Sequence, residues 1–208
     1  LFCSAAENDR NASLRMFAIG RLVKAGTRYD AELKKLLTKI YLEDTVNTVR
    51  ATALSVLNTR FRDDQEVMSL TESALKDRSY AVCAEALEAL AKTDPQKALG
   101  AAVQFENEKG RDIIFALTDL YASHGADKQL PYFRGVIKYV TGFDMLPFCA
   151  SYAKVAKRCT QQENVIMAAK DLEMIGRDAN KYTKYAVNKA LRELYEEYSS
   201  KQSQLTKK

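Results

Sequence analysis

Asp44-Thr45-Val46-Asn47-Thr48-Val49-Arg50-Ala51-Thr52-Ala53-Leu54-Ser55-Val56-Leu57 is the stretch whose reading decides the fold. As a helix it gathers Val46, Val49, Ala53, Val56 and Leu57 on one side, the i, i+3, i+4, i+7 pattern of an amphipathic segment. Asp44 or Thr45 stands where an N-cap is wanted. The same frame recurs along the chain: an Asp, an Arg six residues on, an Ala nine on, a Leu thirteen on. Asp9, Arg15, Ala18 and Leu22 fit it, and so do Asp44, Arg50, Ala53 and Leu57. Asp77, Ala86 and Leu90 fit with Cys83 in the arginine place, and Asn107, Ala116 and Leu120 fit loosely with Ile113 there. Asp144 and Ala153 open a fifth copy that drifts. The copies start 35, 33, 30 and 37 residues apart. A period of that size belongs to a two-helix unit that cannot bury its apolar stripe alone and stacks on its neighbours.

The partner helices lie between these copies. Residues 29–42 place Leu33, Leu36, Leu37, Ile40 and Tyr41 on one side, and residues 65–75 place Val67, Leu70, Ala74 and Leu75. Thr93-Asp94-Pro95 is a helix start, a capping Asp followed by Pro at the first helical position, and its helix is expected to reach about Asn107. Further helices are expected over 111–123, ended by His124-Gly125, over 127–139 and over 144–158. Thr160-Gln161-Gln162-Glu163 reads as a capping box whose helix ends at Gly176. A last helix is expected from Asp178 to about Ser199, with Tyr182, Ala186, Ala190, Leu194 and Tyr198 on its stripe. The alanines at 18, 53, 86, 116 and 153 let neighbouring helices approach closely. An Asp at a helix start suits the positive end of the dipole, and the Arg of one unit can bridge to the Asp of the next. About eleven helices and no strand are expected.

In this frame, with Val49-Arg50 followed by Ala53 and Leu57, the chain resembles HEAT repeats. That family carries an Asp before the second helix of each pair and Val-Arg within it. The likeness covers three units well and two poorly. It implies an all-α fold, a right-handed α-α superhelix built as one HEAT-like solenoid over residues 1–208, and it says nothing about activity.

Composition agrees with a helical globular chain: 208 residues, 47% hydrophobic and 28% charged, with few turn formers at 8 Gly and 3 Pro. No stretch approaches the roughly 20 uninterrupted apolar residues of a membrane span. A soluble protein of cytoplasm or periplasm is expected, and the compartment stays open. The net charge of +5 is unevenly placed, with 15 Lys/Arg against 8 Asp/Glu in residues 128–208 and 17 against 19 before them. A basic half can face nucleic acid, anionic lipid or an acidic partner, and equally it can be a solvated helix surface. Cys3, Cys83, Cys149 and Cys159 form no CxxC pair, so a zinc knuckle or a dithiol redox site is not indicated. Cys83 and Cys149 lie on apolar faces, where a free thiol behaves as a small hydrophobe.

No residue is assigned a catalytic or metal-binding role. The single histidine, His124, cannot supply the two His and a Glu of a zincin helix, and reads as a helix end. Ser73 with Lys76 and Ser151 with Lys154 put hydroxyl and ammonium on one helix side, but the companion motifs of a Ser/Lys nucleophile are missing. Asp63-Asp64 reads as a loop and cap pair. Tyr132, Tyr139, Tyr152, Tyr182, Tyr185, Tyr195 and Tyr198 fall in the basic half with Phe133, Phe143 and Phe148. Aromatics among lysines serve a single-stranded nucleic-acid groove, but they serve a helical core or a protein interface too, and the latter is the preferred reading.

The layout resembles the C-terminal helical domain of the aminopeptidase N family of zinc metallopeptidases, a superhelix of HEAT-like pairs over a metallopeptidase domain. Leu1-Phe2-Cys3-Ser4 is taken as the interior of a longer polypeptide, of which this chain is the C-terminal part. The resemblance implies a non-catalytic wall that limits access to the active-site chamber and contacts the peptide substrate. It implies no cofactor in this segment, zinc in the parent enzyme, and an upstream catalytic domain of the same chain as partner. Lys138, Lys154 and Lys157 are the candidates for holding the peptide. The alternatives are a free-standing HEAT-repeat scaffold for another protein, and a HEAT-fold DNA-binding or glycosylase-like protein.

Overall fold

The computed structural model describes residues 1–24, 26–177 and 179–205, with side chains described as far as Tyr198. Among the described residues there are twelve α-helices, short 3-10 turns and no strand. The chain divides into two compact units, Leu1–Ala101 and Ala102–Lys208.

The first unit holds α1 (Phe2–Asn8), α2 (Ala12–Val23), α3 (Asp30–Glu43), α4 (Asn47–Arg60), α5 (Gln65–Ala74) and α6 (Tyr80–Thr93). The helix α7 (Pro95–Ala102) closes it. Packing follows the two-helix period: α1 lies on α2, α3 on α4 and α5 on α6, while the second helices form a row α2–α4–α6. The central helix α4 is therefore covered on several sides, and Val49, Ala51, Ala53, Leu54 and Leu57 are all buried. Ala18, Ala53 and Ala86, one per copy, are almost completely buried, as their small size requires where helices approach.

The repeating Asp has a different local task from the one expected. The N-cap of α4 is Val46, not Asp44 or Thr45, and it makes no side-chain cap bond. Asp44 stands two residues upstream, where its Oδ1 accepts the Val46 amide at 2.8 Å. Asp9 accepts the Asn11 amide and Asp77 the Ser79 amide in the same way, each at 2.8 Å. This is the Asx turn, which leaves the second carboxylate oxygen free to face away from the helix. At Asp44 and Asp77 that freedom is used. Arg15 forks onto Asp44 through Nε and Nη2 at 2.7 and 2.8 Å, and Arg50 forks onto Asp77 at 2.8 and 2.9 Å. Both pairs are largely shielded from water. The arginine of one copy thus holds the aspartate of the next.

The second unit holds α8 (Arg111–His124), α9 (Leu130–Val136), α10 (Met145–Arg158), α11 (Gln162–Arg177) and α12 (Lys181–Leu205). Here α10 is central, packed by α8, α9, α11 and α12. It buries Phe148, Cys149, Tyr152, Ala153, Val155 and Ala156. Short 3-10 turns at Val103–Phe105, Ile137–Tyr139 and Gly142–Asp144 replace the ends of longer helices expected from the sequence. The Asp94 cap is as expected, its Oδ1 accepting the Lys97 amide at 3.0 Å.

Thr160 does not cap its own helix through a Thr/Glu box. Its amide and hydroxyl both donate to Asp127 Oδ2 at 2.9 Å, and Asp127 Oδ1 receives the Gln161 amide at 3.3 Å and Asn164 Nδ2 at 2.7 Å. One carboxylate from the α8–α9 connection therefore closes the amino end of α11. Burial alone would raise the Asp127 pKa, but these four donors outweigh it and hold the carboxyl well below the usual carboxylate range.

The last helix starts at Lys181, with Asn180 accepting the Tyr182 and Thr183 amides at 3.0 Å. The expected start at Asp178 lies outside the described residues. Its buried stripe is Thr183, Val187, Ala190 and Leu194: Ala190 and Leu194 are buried as expected, whereas the first two turns bury Thr183 and Val187 in place of Ala186 and of Tyr182, which is exposed. Gly176 is also no stop, since α11 continues to Arg177. The missing side chain there makes room for Val187, whose Cγ1 would sit 3.1 Å from an added Cβ.

Candidate functional site

The three lysines expected to hold a peptide fall in the second unit. Lys138 lies in the 3-10 turn after α9 and is exposed, its ammonium 5.2 Å from the Tyr139 ring centre. Lys154 and Lys157 lie one turn apart on α10, Lys154 exposed and Lys157 half-buried. Lys157 donates to Glu193 of α12 at 3.0 Å and holds that carboxyl below its ordinary pKa. Among the described residues no carboxylate pairs with Lys138 or Lys154, whereas the charge of Lys157 is shared with Glu193.

The aromatic residues of the second unit fall mostly into two groups. Tyr121, Tyr132, Phe133, Phe148 and Tyr152 are buried and touch in sequence. The Tyr121 and Tyr132 rings meet edge-on at 5.4 Å, and Phe133 stacks on Tyr152 at 5.0 Å. Two of the three phenol tips are served inside the unit, while the buried Tyr132 hydroxyl takes no hydrogen-bond partner among the described residues. The Tyr121 hydroxyl donates to Glu106 at 2.7 Å, and the Tyr152 hydroxyl donates to Asp171 at 2.6 Å, where Arg134 also pairs at 2.8 Å. Burial first, and then the nearby carboxylates, push the Tyr121 and Tyr152 phenols above their ordinary pKa. Phenols held protonated in this way are structural hydrogen-bond donors at neutral pH. This group is core, as the sequence suggested.

The second group is exposed: Tyr139, Phe143, Tyr182, Tyr185 and Tyr195. Phe143, on the 3-10 turn before α10, and Tyr182, in the first turn of α12, have ring centres 6.3 Å apart. With Gly142, Leu146, Asn180, Lys181 and Thr183 they line a groove of about 340 Å³. Gly142 adopts φ +60°, a left-handed conformation that suits glycine and turns the chain so that Phe143 projects. Lys181 lies 5.0 Å from the Tyr182 ring centre. From Lys181 to Arg192 the helix carries Lys181, Lys184, Lys189 and Arg192 and no carboxylate. The result is an aromatic groove beside a cationic helix face, suited to an anionic or aromatic side chain of a polypeptide. Sequence reading singled out the tyrosines but not this groove. The signal available was the repeated Lys-Tyr in Lys181-Tyr182-Thr183-Lys184-Tyr185.

The weaker candidates come apart. Ser73 Oγ donates to the Leu70 carbonyl at 2.8 Å, and Ser151 Oγ donates to Asp119 at 3.2 Å, so neither hydroxyl hydrogen is directed to its lysine. Asp64 is the N-cap of α5 and accepts Lys34 at 2.7 Å, which lowers its pKa against the opposing effect of burial. His124 is the exposed last residue of α8. The carbonyl end of α8 is instead closed by Arg158, which donates to Gly125 and Tyr121 at 2.8 Å and to Ala122. Arg60 does the same for α2, donating to the Val23 carbonyl at 2.8 Å and to Gly26. Among the described residues no group of three or more His, Cys, Asp or Glu is placed to hold a metal ion, and no helix is long and apolar enough to cross a membrane. Set against known proteins, the chain matches no family model and no curated sequence.

Proposed function

We propose that this chain is a non-catalytic helical wall, the C-terminal domain of a zinc aminopeptidase, arranged as a right-handed superhelix of HEAT-like pairs that shapes access to a catalytic chamber. The observation that carries the scaffold part is the pair of rungs Arg15–Asp44 and Arg50–Asp77, which link successive two-helix units in one register. Repetition of that kind suits a surface assembled by stacking. The peptide contact is assigned to Lys138 and Lys154, with Lys157 as the paired cation behind Lys154, and the zinc to the upstream domain.

The experiment is steady-state kinetics of the full-length enzyme with peptides of increasing length. Lys154→Ala and Lys138→Ala are expected to raise KM several-fold for long peptides and to leave kcat and short substrates unchanged. Unchanged KM for every length would remove these lysines from the site. A free-standing scaffold for another protein is the second reading, favoured by the exposed Phe143–Tyr182 groove. It predicts that Tyr182→Ala weakens partner capture while peptide hydrolysis is untouched. A nucleic-acid role would instead show duplex binding that falls steeply between two salt concentrations.

A further inference from the structure

The second helices of the first unit use fixed positions to meet the helix before them. Counted from the repeat aspartate, the residue five on is Leu14, Val49 or Val82, and the residue eight on is Phe17, Thr52 or Glu85. Glu85 of α6 bonds Ser55 of α4, and a small cleft is lined by Glu85, Glu88 and Lys92 from one helix and Ser55 and Asn58 from the other. The residue eight past the aspartate therefore looks at the preceding second helix, and the residue five past it lies one turn back on the same side of the helix. Where a preceding helix exists, the fifth residue is fully buried: Val49 and Val82 are both at 0% exposure. On α2, before which the described residues place no second helix, Leu14 is 50% exposed and Phe17 58%. The rungs show the same gap. Asp44 and Asp77 each take an arginine from the copy before, while Asp9 makes the same turn with Asn11 and, among the described residues, no arginine reaches its carboxylate.

We infer that the α2 face formed by Leu14, Phe17 and Asp9 is a seat for one more helix of the same repeat kind, which lays apolar residues on Leu14 and Phe17 and sends an arginine to Asp9. The occupant follows from continuity with the α2–α4 and α4–α6 interfaces and from the Asp9 carboxylate, which takes no arginine hydrogen bond among the described residues, Arg15 of its own copy reaching only the backbone carbonyl of Asp9. This concerns how the array is continued and is independent of the catalyst it serves.

The test extends the chain before Leu1 with a short Gly-Ser linker and a duplicate of its own residues 29–64, which bring a second copy of Arg50 to the rung place. The extended protein is expected to melt several degrees above the 208-residue chain in a single transition. Leu14→Gln or Asp9→Asn should abolish that gain in the extended protein and change the melting of the 208-residue chain by no more than about a degree. Asn keeps the turn acceptor, so Asp9→Asn reads the rung alone. An added pair that contributes no helical signal, or melts separately, overturns the inference. So does a loss of several degrees on Leu14→Gln in the 208-residue chain, which would mean the face is already covered. A 208-residue chain that sediments as a dimer dissociated by Leu14→Gln also overturns it, by giving the seat to a second copy.

Discussion

At the scale of single residues, the decisive contrast is between shielded and exposed charge. Arg15 and Asp44 are each under a tenth exposed, whereas Lys92 and Glu88 form an i,i+4 pair more than half exposed. Removing one member of a shielded pair strands the other away from water, at a cost of about 3 kcal/mol. Asp44→Ala should therefore lower stability by about 3 kcal/mol in urea unfolding, and Glu88→Ala by less than about 0.5 kcal/mol. The thiols divide in the same way. Burial pushes Cys149 up to about 12, while Cys3 is exposed. Because the thiolate is the reactive form, iodoacetamide at neutral pH should modify Cys3 in the native protein and reach Cys83, Cys149 and Cys159 only on unfolding. Mass spectrometry of the labelled peptides checks this.

At the scale of helices, the ends carry more information than the middles. Asp127 closes α11 from a separate connection, and its folded pKa is depressed. A carboxyl of that kind contributes stability that is complete above its unfolded pKa, about 3.9, and is lost as pH falls through the folded value. The urea midpoint of the wild type should thus drop between about pH 4 and lower pH more steeply than that of Asp127→Ala. At pH 7 the variant should be weaker by about 1–2 kcal/mol, the range of a lost cap. Gly125 sits where an added Cβ would lie 2.8 Å from the Tyr121 carbonyl oxygen, backbone that cannot step aside. Gly125→Ala should lower the melting temperature by several degrees, and Gly135→Ala, with open space around it, should not.

These ends also mark the limit of what could be read from the amino acids. The 3.6-residue stripe of α3 and α4 and the Asp94-Pro95 start depend on neighbours within a few residues, and the helices stand where the pattern put them. The Arg–Asp bridge between copies was also legible, because the repeat places both partners at fixed intervals. Arg158 on the carbonyls of Tyr121 and Ala122, and Asp127 on the amides of Thr160 and Gln161, join residues more than thirty apart without a recurring motif. Local capping rules therefore chose Thr160 and His124 instead. The groove at Phe143 and Tyr182 escaped notice for the same reason: it joins a 3-10 turn to a helix start nearly forty residues later.

At the scale of the molecule, each rung points the same way, from an arginine to the aspartate of the following copy. The chain is thus commensurate with itself. Excising residues 44–76, one whole step, would bring Asp77 to the place of Asp44 behind α3 and offer Arg15 a new mate, with Val82 arriving where Val49 had been. An excision from the same start that is not one whole copy would misalign both. The shortened protein should still melt as a folded species, while one lacking 28 residues from the same start should not, as circular dichroism would report. A polypeptide that tolerates gain or loss only in such quanta can change its span without redesigning a single contact.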